Sequence, residues 1–183
     1  MESLSYRMIR AARLDASLYE EVERDKTAIG QAMTVVILAA VAAGLGSARN
    51  TGLPGLVAVT LAALAGWFFW SFLVYWIGTR ILPEPGTQAG FGELLRVVGF
   101  ASAPGVIRIV GILPGLGHII AIVAAAWMVA AMAIAVRQAL DYTSTGRAAG
   151  VCLIGWFIPW VVKVFLLGRL LGLGMENAMG HSV

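Results

Sequence analysis

The chain carries little charge for its length and few of the side chains used by metals and nucleophilic catalysis. Of its 183 residues only 13% are charged, one is cysteine and two are histidine. A soluble domain usually has about 25% charged residues. Cys152 has no partner for an internal disulfide, and a metal site would need other ligand types clustered with it. It lies in the apolar run Val151, Leu153, Ile154, where it reads as a packing residue, with a reactive thiol as the sharper alternative. His118 and His181 are far apart; His118 opens an apolar stretch and reads as structural. There is no HExxH zinc pattern, no GxSxG elbow and no phosphate loop, so an enzyme is not expected, nor is a cofactor or metal. The net charge of +3 is small, and the basic residues form no stripe, which sets nucleic acid aside. The start does not read as a cleaved signal peptide, because Met1–Lys26 is highly charged and the first long apolar block follows it.

Apolar residues, by contrast, are plentiful. They make up 60% of the chain, with a mean hydropathy of +0.86. They come in blocks near the roughly 20 residues needed to cross a bilayer. The expected fold is an all-α integral membrane protein with five transmembrane helices, preceded by an N-terminal amphipathic interfacial helix. In residues 1–26, Leu4, Met8, Ala11, Leu14, Leu18 and Val22 recur at spacings of three and four and share one face. That face suits a membrane surface or, equally, the protein's own body; a partner-binding helix is a third reading. The membrane domain is expected over 27–174, with spans at about 27–46, 55–79, 91–113, 118–139 and 148–171 and a polar tail at 175–183. Thr27 is the expected N-cap of the first span. In the second, Ala58, Ala62 and Gly66 form a small-residue face for another helix, and Tyr75 and Trp76 suit an interface belt. The third should kink at Pro104, which has no backbone donor.

The charges at span ends are the best clue to a site. Glu93, Arg96, Arg137, Asp141 and Arg147 are expected at one end of spans three to five, with Glu93 and Arg96 on one helix face and Arg137 paired to Asp141 if its helix extends that far. Ser144 or Thr145 is the simplest N-cap of span five. The plain reading is that these charges pin helix ends; the sharper one is a contact surface for a partner or lipid, comprising Glu93, Arg96, Arg137, Asp141, Ser144 and Arg147. Arg108 and Lys163 belong to the opposite half and are candidate lipid-phosphate contacts. Nine Lys and Arg residues fall on the N-terminal side, against Arg49, Arg108, Lys163 and Arg169 on the other. The majority side should be cytoplasmic, which leaves the C-terminus outside.

Three stretches carry a resemblance: Ala12-Arg-Leu-Asp-Ala-Ser-Leu-Tyr-Glu-Glu-Val-Glu23, Gly99-Phe-Ala-Ser-Ala-Pro-Gly-Val-Ile-Arg108 with Pro114-Gly-Leu-Gly117, and Arg137-Gln-Ala-Leu-Asp-Tyr-Thr-Ser-Thr-Gly-Arg-Ala148. In this order, around five spans, they resemble the prokaryotic branch of the Yip domain family. The resemblance implies five spans, a cytoplasmic N-terminus and no catalytic residues. Its eukaryotic branch acts in Golgi and vesicle trafficking and binds Rab-type GTPases through a longer cytoplasmic region than Met1–Lys26, so a GTPase partner is expected only if the chain is eukaryotic. The positions matching the family's polar motif are Arg137, Asp141, Thr143, Ser144 and Arg147. The expected function is a non-enzymatic membrane scaffold or accessory subunit, homo-oligomeric or part of a larger complex, in a bacterial cytoplasmic membrane or alternatively a Golgi-type one. Lipid or small-solute handling, of the transporter or scramblase kind, is the alternative that the broken third span suggests.

Overall fold

A computed structural model of the chain describes residues 3–47, 52–113, 115–158, 161, 164 and 165. Arg49, Asn50, Pro114, Pro159, Lys163, Arg169, His181, the far end of the fifth span and the tail from Met175 lie outside the described residues. Among the described residues every regular element is a helix.

The N-terminal segment differs from the single helix expected. It forms α1 (Leu4–Ala12) and α2 (Ala16–Arg24), joined by a tight turn. Leu14 takes a left-handed backbone, with φ 62°. The Leu14 N–H bonds to the Ala11 carbonyl and the Asp15 N–H to the Arg10 carbonyl, the paired bonds of a Schellman C-cap. Asp15 then caps α2 by accepting from the Ser17 N–H. The apolar period runs unbroken through Leu14, so it could not show the break. Ala11, Leu18, Tyr19 and Val22 are fully buried in the protein's own core.

The first apolar helix, α3 (Ile29–Ser47), follows a 3-10 turn at Lys26–Ala28. Asp25, not Thr27, caps it: its carboxylate accepts from both the Thr27 N–H and the Thr27 hydroxyl. The second, α4 (Gly52–Trp76), runs on through a π turn at Ile77–Ile81. The third is α5 (Phe91–Phe100), which passes at Ala101 and Ser102 into a 3-10 helix over Ala103–Ile112. Pro104 therefore converts the second half of the span rather than only bending it: the Gly105 N–H bonds to the Ser102 carbonyl three residues back, at 2.9 Å. Next come α6 (Gly117–Ala139) and α7 (Thr145–Ile158). Among the described residues, four helices are long and apolar enough to cross a membrane, at Lys26–Leu45, Gly52–Ile81, Phe91–Ile112 and Gly117–Ala139. The described part of α7 is apolar but shorter.

The third span is the centre of the bundle. Its apolar stretch is 56% buried, against 17% for the second. It packs on α3, α4, α6 and the N-terminal helices. Gly99 lets α3 approach closely, since a Cβ there would stand 2.7 Å from that of Ala32. On the small-residue face of α4, Ala58, Ala62 and Gly66 are all exposed. The indole of Trp67 instead holds α4 to the bundle by donating to the Leu95 carbonyl at 3.0 Å.

Candidate functional site

The candidate residues separate into three places. The first is where α2 meets α5. Arg96 is buried and donates from Nε to the Val22 carbonyl at 2.9 Å and from Nη2 to the Glu23 carbonyl. These are among the last carbonyls of α2, which have no helical partner of their own. Arg96 thus caps α2 across the fold and does not pair with Glu93. Glu93 turns back to accept from the Gly90 N–H at the start of its own helix.

The second place is the turn between α6 and α7, where the motif Asp141-Tyr-Thr-Ser-Thr-Gly-Arg147 works as a latch. Helix α6 ends at Ala139, so Arg137 and Asp141 are not on one helical face and the expected local pair does not form. Asp141 takes a left-handed backbone, with φ 52°. It stands at the C′ position of a second Schellman cap, with the Asp141 N–H on Gln138 and the Tyr142 N–H on the Arg137 carbonyl. Arg137 donates to the Tyr142 carbonyl and to Thr145 Oγ1, both at 3.2 Å. The Tyr142 phenol lies 2.6 Å from the Leu82 carbonyl and 3.0 Å from that of Gly78, at the π turn. With one proton to donate, it shares these two acceptors.

Ser144 stands at the N-cap position of α7, its carbonyl accepting from the Ala148 N–H. Thr143 gives its N–H and its hydroxyl to Glu84, at 3.0 and 2.9 Å. Arg147 is 3.7 Å from the other oxygen of Glu84. The Thr143 N–H is the main reason that the Glu84 carboxyl is held below its ordinary pKa. Sequence reasoning missed Glu84. Its signal was weak, an acid between Pro83 and Pro85 in a loop, with partners about sixty residues away.

The third place is a cleft of about 480 Å³ between α2 and the end of α6, lined by Glu20, Glu23, Arg24, Arg137, Gln138, Asp141 and Tyr142. It brings Arg137 and Asp141 together with the hairpin. Gln138 bridges the wall by donating to Glu20 at 2.9 Å. Glu23 is half-buried and faces Asp141 and Glu93. Desolvation, and then repulsion from those two carboxylates, push its pKa up to about 7.

A further charged cluster holds the hairpin together, and sequence reasoning assigned its members no pairing. Arg7 is buried, and it donates to Glu21 at 2.7 Å, Asp25 at 3.0 Å and Gln31 at 2.9 Å. Arg10 bonds Asp15 at 2.8 Å and the second oxygen of Glu21 at 2.7 Å. The Ser17 hydroxyl and Arg10 hold the Asp15 carboxyl down at about 2. The 14-residue gap from Arg7 to Glu21 fits no single-helix pairing rule, so only the hairpin turn could have disclosed it.

Arg108 lies apart from all of these. It is half-buried on the 3-10 half of the third span, and among the described residues it has no hydrogen-bond or ion-pair partner. No three His, Cys, Asp or Glu side chains among the described residues converge as a metal site.

Comparison with curated proteins and with solved structures returned no match. A model of the Yip1 domain matches residues 16–167, which takes in both the α2–α5 contact and the latch. With that match over most of its length, this apolar helical chain belongs to the Yip1 domain family of membrane proteins.

Proposed function

We propose that the chain is a non-enzymatic, five-span membrane scaffold of the prokaryotic branch, which assembles with a second copy or a partner subunit within the membrane. In this reading α7 continues into the fifth span, the hairpin and the latch face the cytoplasm, and the C-terminus lies outside. The observation that carries it is the open face of α4. Ala58, Ala62 and Gly66 are four apart and exposed, on the least buried of the four membrane-length helices, and among the described residues nothing outside this helix lies within 4 Å of the position of a Gly66 Cβ. In lipid, close approach of small residues is what drives helices together.

The polar end supports a scaffold better than a catalyst. Most candidate residues there are engaged in internal structure, and the exposed rim of the cleft at Glu20, Arg24 and Asp141, where Glu20 already accepts from Gln138, is the surface a partner would meet. A Cys152→Ala, Ala62→Cys variant tests the reading. Oxidation in native membranes should give a disulfide-linked dimer, and Gly66→Leu should abolish it. A protein that stays monomeric and copurifies with no stoichiometric partner refutes it. A reporter fused after Val183 that reads as cytoplasmic refutes the proposed orientation.

A further inference from the structure

The depth reached by the charged hairpin is at odds with an ordinary apolar belt. Trp127 Nε1 donates to the carbonyl of Ala12, the last residue of α1, at 2.7 Å. Trp127 stands ten residues into α6, about 15 Å from its Gly117 end at 1.5 Å per residue. The hydrocarbon core of a bilayer is about 30 Å thick. The hairpin tip, with exposed Arg13, Ala16 and Ser17, therefore lies level with the middle of a membrane-length helix.

The central span agrees with this depth. A Cβ on Gly105 would stand 2.9 Å from the sulfur of Met128, the residue after Trp127, so the hairpin tip and Gly105 share a level. From Gly105, Arg108 is three residues further along the 3-10 helix, about 6 Å, and Ile112 is about 8 Å beyond it. Helix α1 packs against this same 3-10 segment. Measured along the span, the hairpin tip, Arg108 and the end of the 3-10 helix are thus spaced at about 6–8 Å, where a bilayer offers about 30 Å of hydrocarbon. A charge at such depth is relieved when the bilayer thins locally and draws in water and headgroups.

We propose that this seam, between the hairpin tip and the 3-10 half of the third span, carries glycerophospholipid headgroups across the membrane, with Arg108 as the contact for the lipid phosphate. The headgroup passes from the leaflet around the hairpin to the tip, then to Arg108, then to the opposite surface, while the acyl chains stay in lipid. No partner and no energy source is required, so lipid moves down its gradient in either direction. The activity is separate from the scaffold reading, and its failure leaves the α4 dimer test untouched.

The test is the purified full chain in phosphatidylcholine–phosphatidylglycerol vesicles holding a fluorescent NBD phospholipid, bleached from outside by dithionite. Proteoliposomes should bleach beyond the outer-leaflet half that stops empty vesicles, without release of a trapped soluble dye. Arg108→Leu should slow the second phase about tenfold, the effect of one lost charge-assisted contact at the barrier. Arg108→Lys should keep most of the rate, which separates the charge from a folding defect. Bleaching that stops at half, bleaching that comes with dye leakage, or an Arg108→Leu rate equal to the parent overturns the proposal.

Discussion

The N-terminal hairpin and helix α4 both pack on the third span, and they are held in different ways. The hairpin is short and polar: Arg7 joins its two helices through Glu21 and reaches Gln31 of α3, while Arg96 and Trp127 of the bundle donate to its Val22 and Ala12 carbonyls. Helix α4 is long and apolar, and its polar ties are the Trp67 indole on Leu95 and, past its end, the Tyr142 phenol on Gly78 and Leu82. The difference follows from the solvent. Lipid gives apolar side chains no reason to prefer protein, so hydrogen bonds and close packing decide what is fixed. Where those are dense the chain is locked, and where they are sparse, as at Ala58, Ala62 and Gly66, the face stays exposed.

The largest effect should come from breaking the hairpin at its buried cation. Arg7→Ala leaves Glu21 and Asp25 without their shared partner, and losing one member of a buried ion cluster costs on the order of 3 kcal/mol. Thermal unfolding in detergent should show the loss, and proteolysis within residues 1–26 should accelerate at temperatures where α4 stays protected. Arg96→Ala should cost about 2 kcal/mol, because the Val22 and Glu23 carbonyls lose their donor. Equal sensitivity of α4 and the hairpin to these two changes would show that the regions are not held separately.

On the other side of the comparison, Tyr142→Phe removes the phenol that closes the π turn at the end of α4. The expected cost is about 1 kcal/mol, the worth of one internal hydrogen bond. Hydrogen exchange should rise at Ile77–Leu82 and leave α1 and α2 unchanged. Exchange that spreads to the hairpin would join the two regions into one cooperative unit.

Acidity should act on the hairpin and spare α4. Glu23 titrates near 7 in the folded protein, against an ordinary 4.5, so the folded state holds the proton more tightly. Its contribution is fully present below about pH 4.5 and is lost as pH rises through 7. The full shift would correspond to about 3 kcal/mol, but Glu23 is half exposed, and solvent screening leaves on the order of 1 kcal/mol. Hairpin protection measured from pH 5 to 8 should fall with rising pH, and Glu23→Gln should flatten the profile. A Glu23→Gln protein with the parent's pH dependence would assign the titration elsewhere.

Much of the spanning architecture was legible because it rests on local features: apolar run length, proline, and charges at run ends. Four membrane-length helices stand where the first four apolar blocks are, at Lys26–Leu45, Gly52–Ile81, Phe91–Ile112 and Gly117–Ala139, and Pro104 marked the change in the third span. What escaped depended on partners distant in sequence. Arg96 and Glu93 looked like a pair at a spacing of three, but the free carbonyls at the end of α2 compete better for a guanidinium than a carboxylate already committed to Gly90. The hairpin break was visible only in Asp15, an N-cap residue that the apolar period masked. Glu84 could be found only once the α6–α7 turn was folded against its loop.

The smallest expected effect compares the two left-handed caps, one in each region. Asp141 is exposed and sits at φ 52°, a conformation that glycine adopts without strain. Asp141→Gly should stabilise the α6–α7 turn by about 0.5–1 kcal/mol. Asp141→Asn, which also removes the charge facing Glu23 but keeps a Cβ, should give a smaller part of that gain. Leu14 has the same backbone strain at φ 62°, yet its side chain packs on the core. In Leu14→Gly the relief of strain, about 1 kcal/mol, is outweighed by the roughly 2 kcal/mol lost with a largely buried leucine. Stabilisation at residue 141 with destabilisation at residue 14, both read as unfolding midpoints, would show that the hairpin accepts strain because its turn residue also packs. A gain at both sites would mean that the Leu14 side chain adds little, and that the hairpin is held by its polar ties alone.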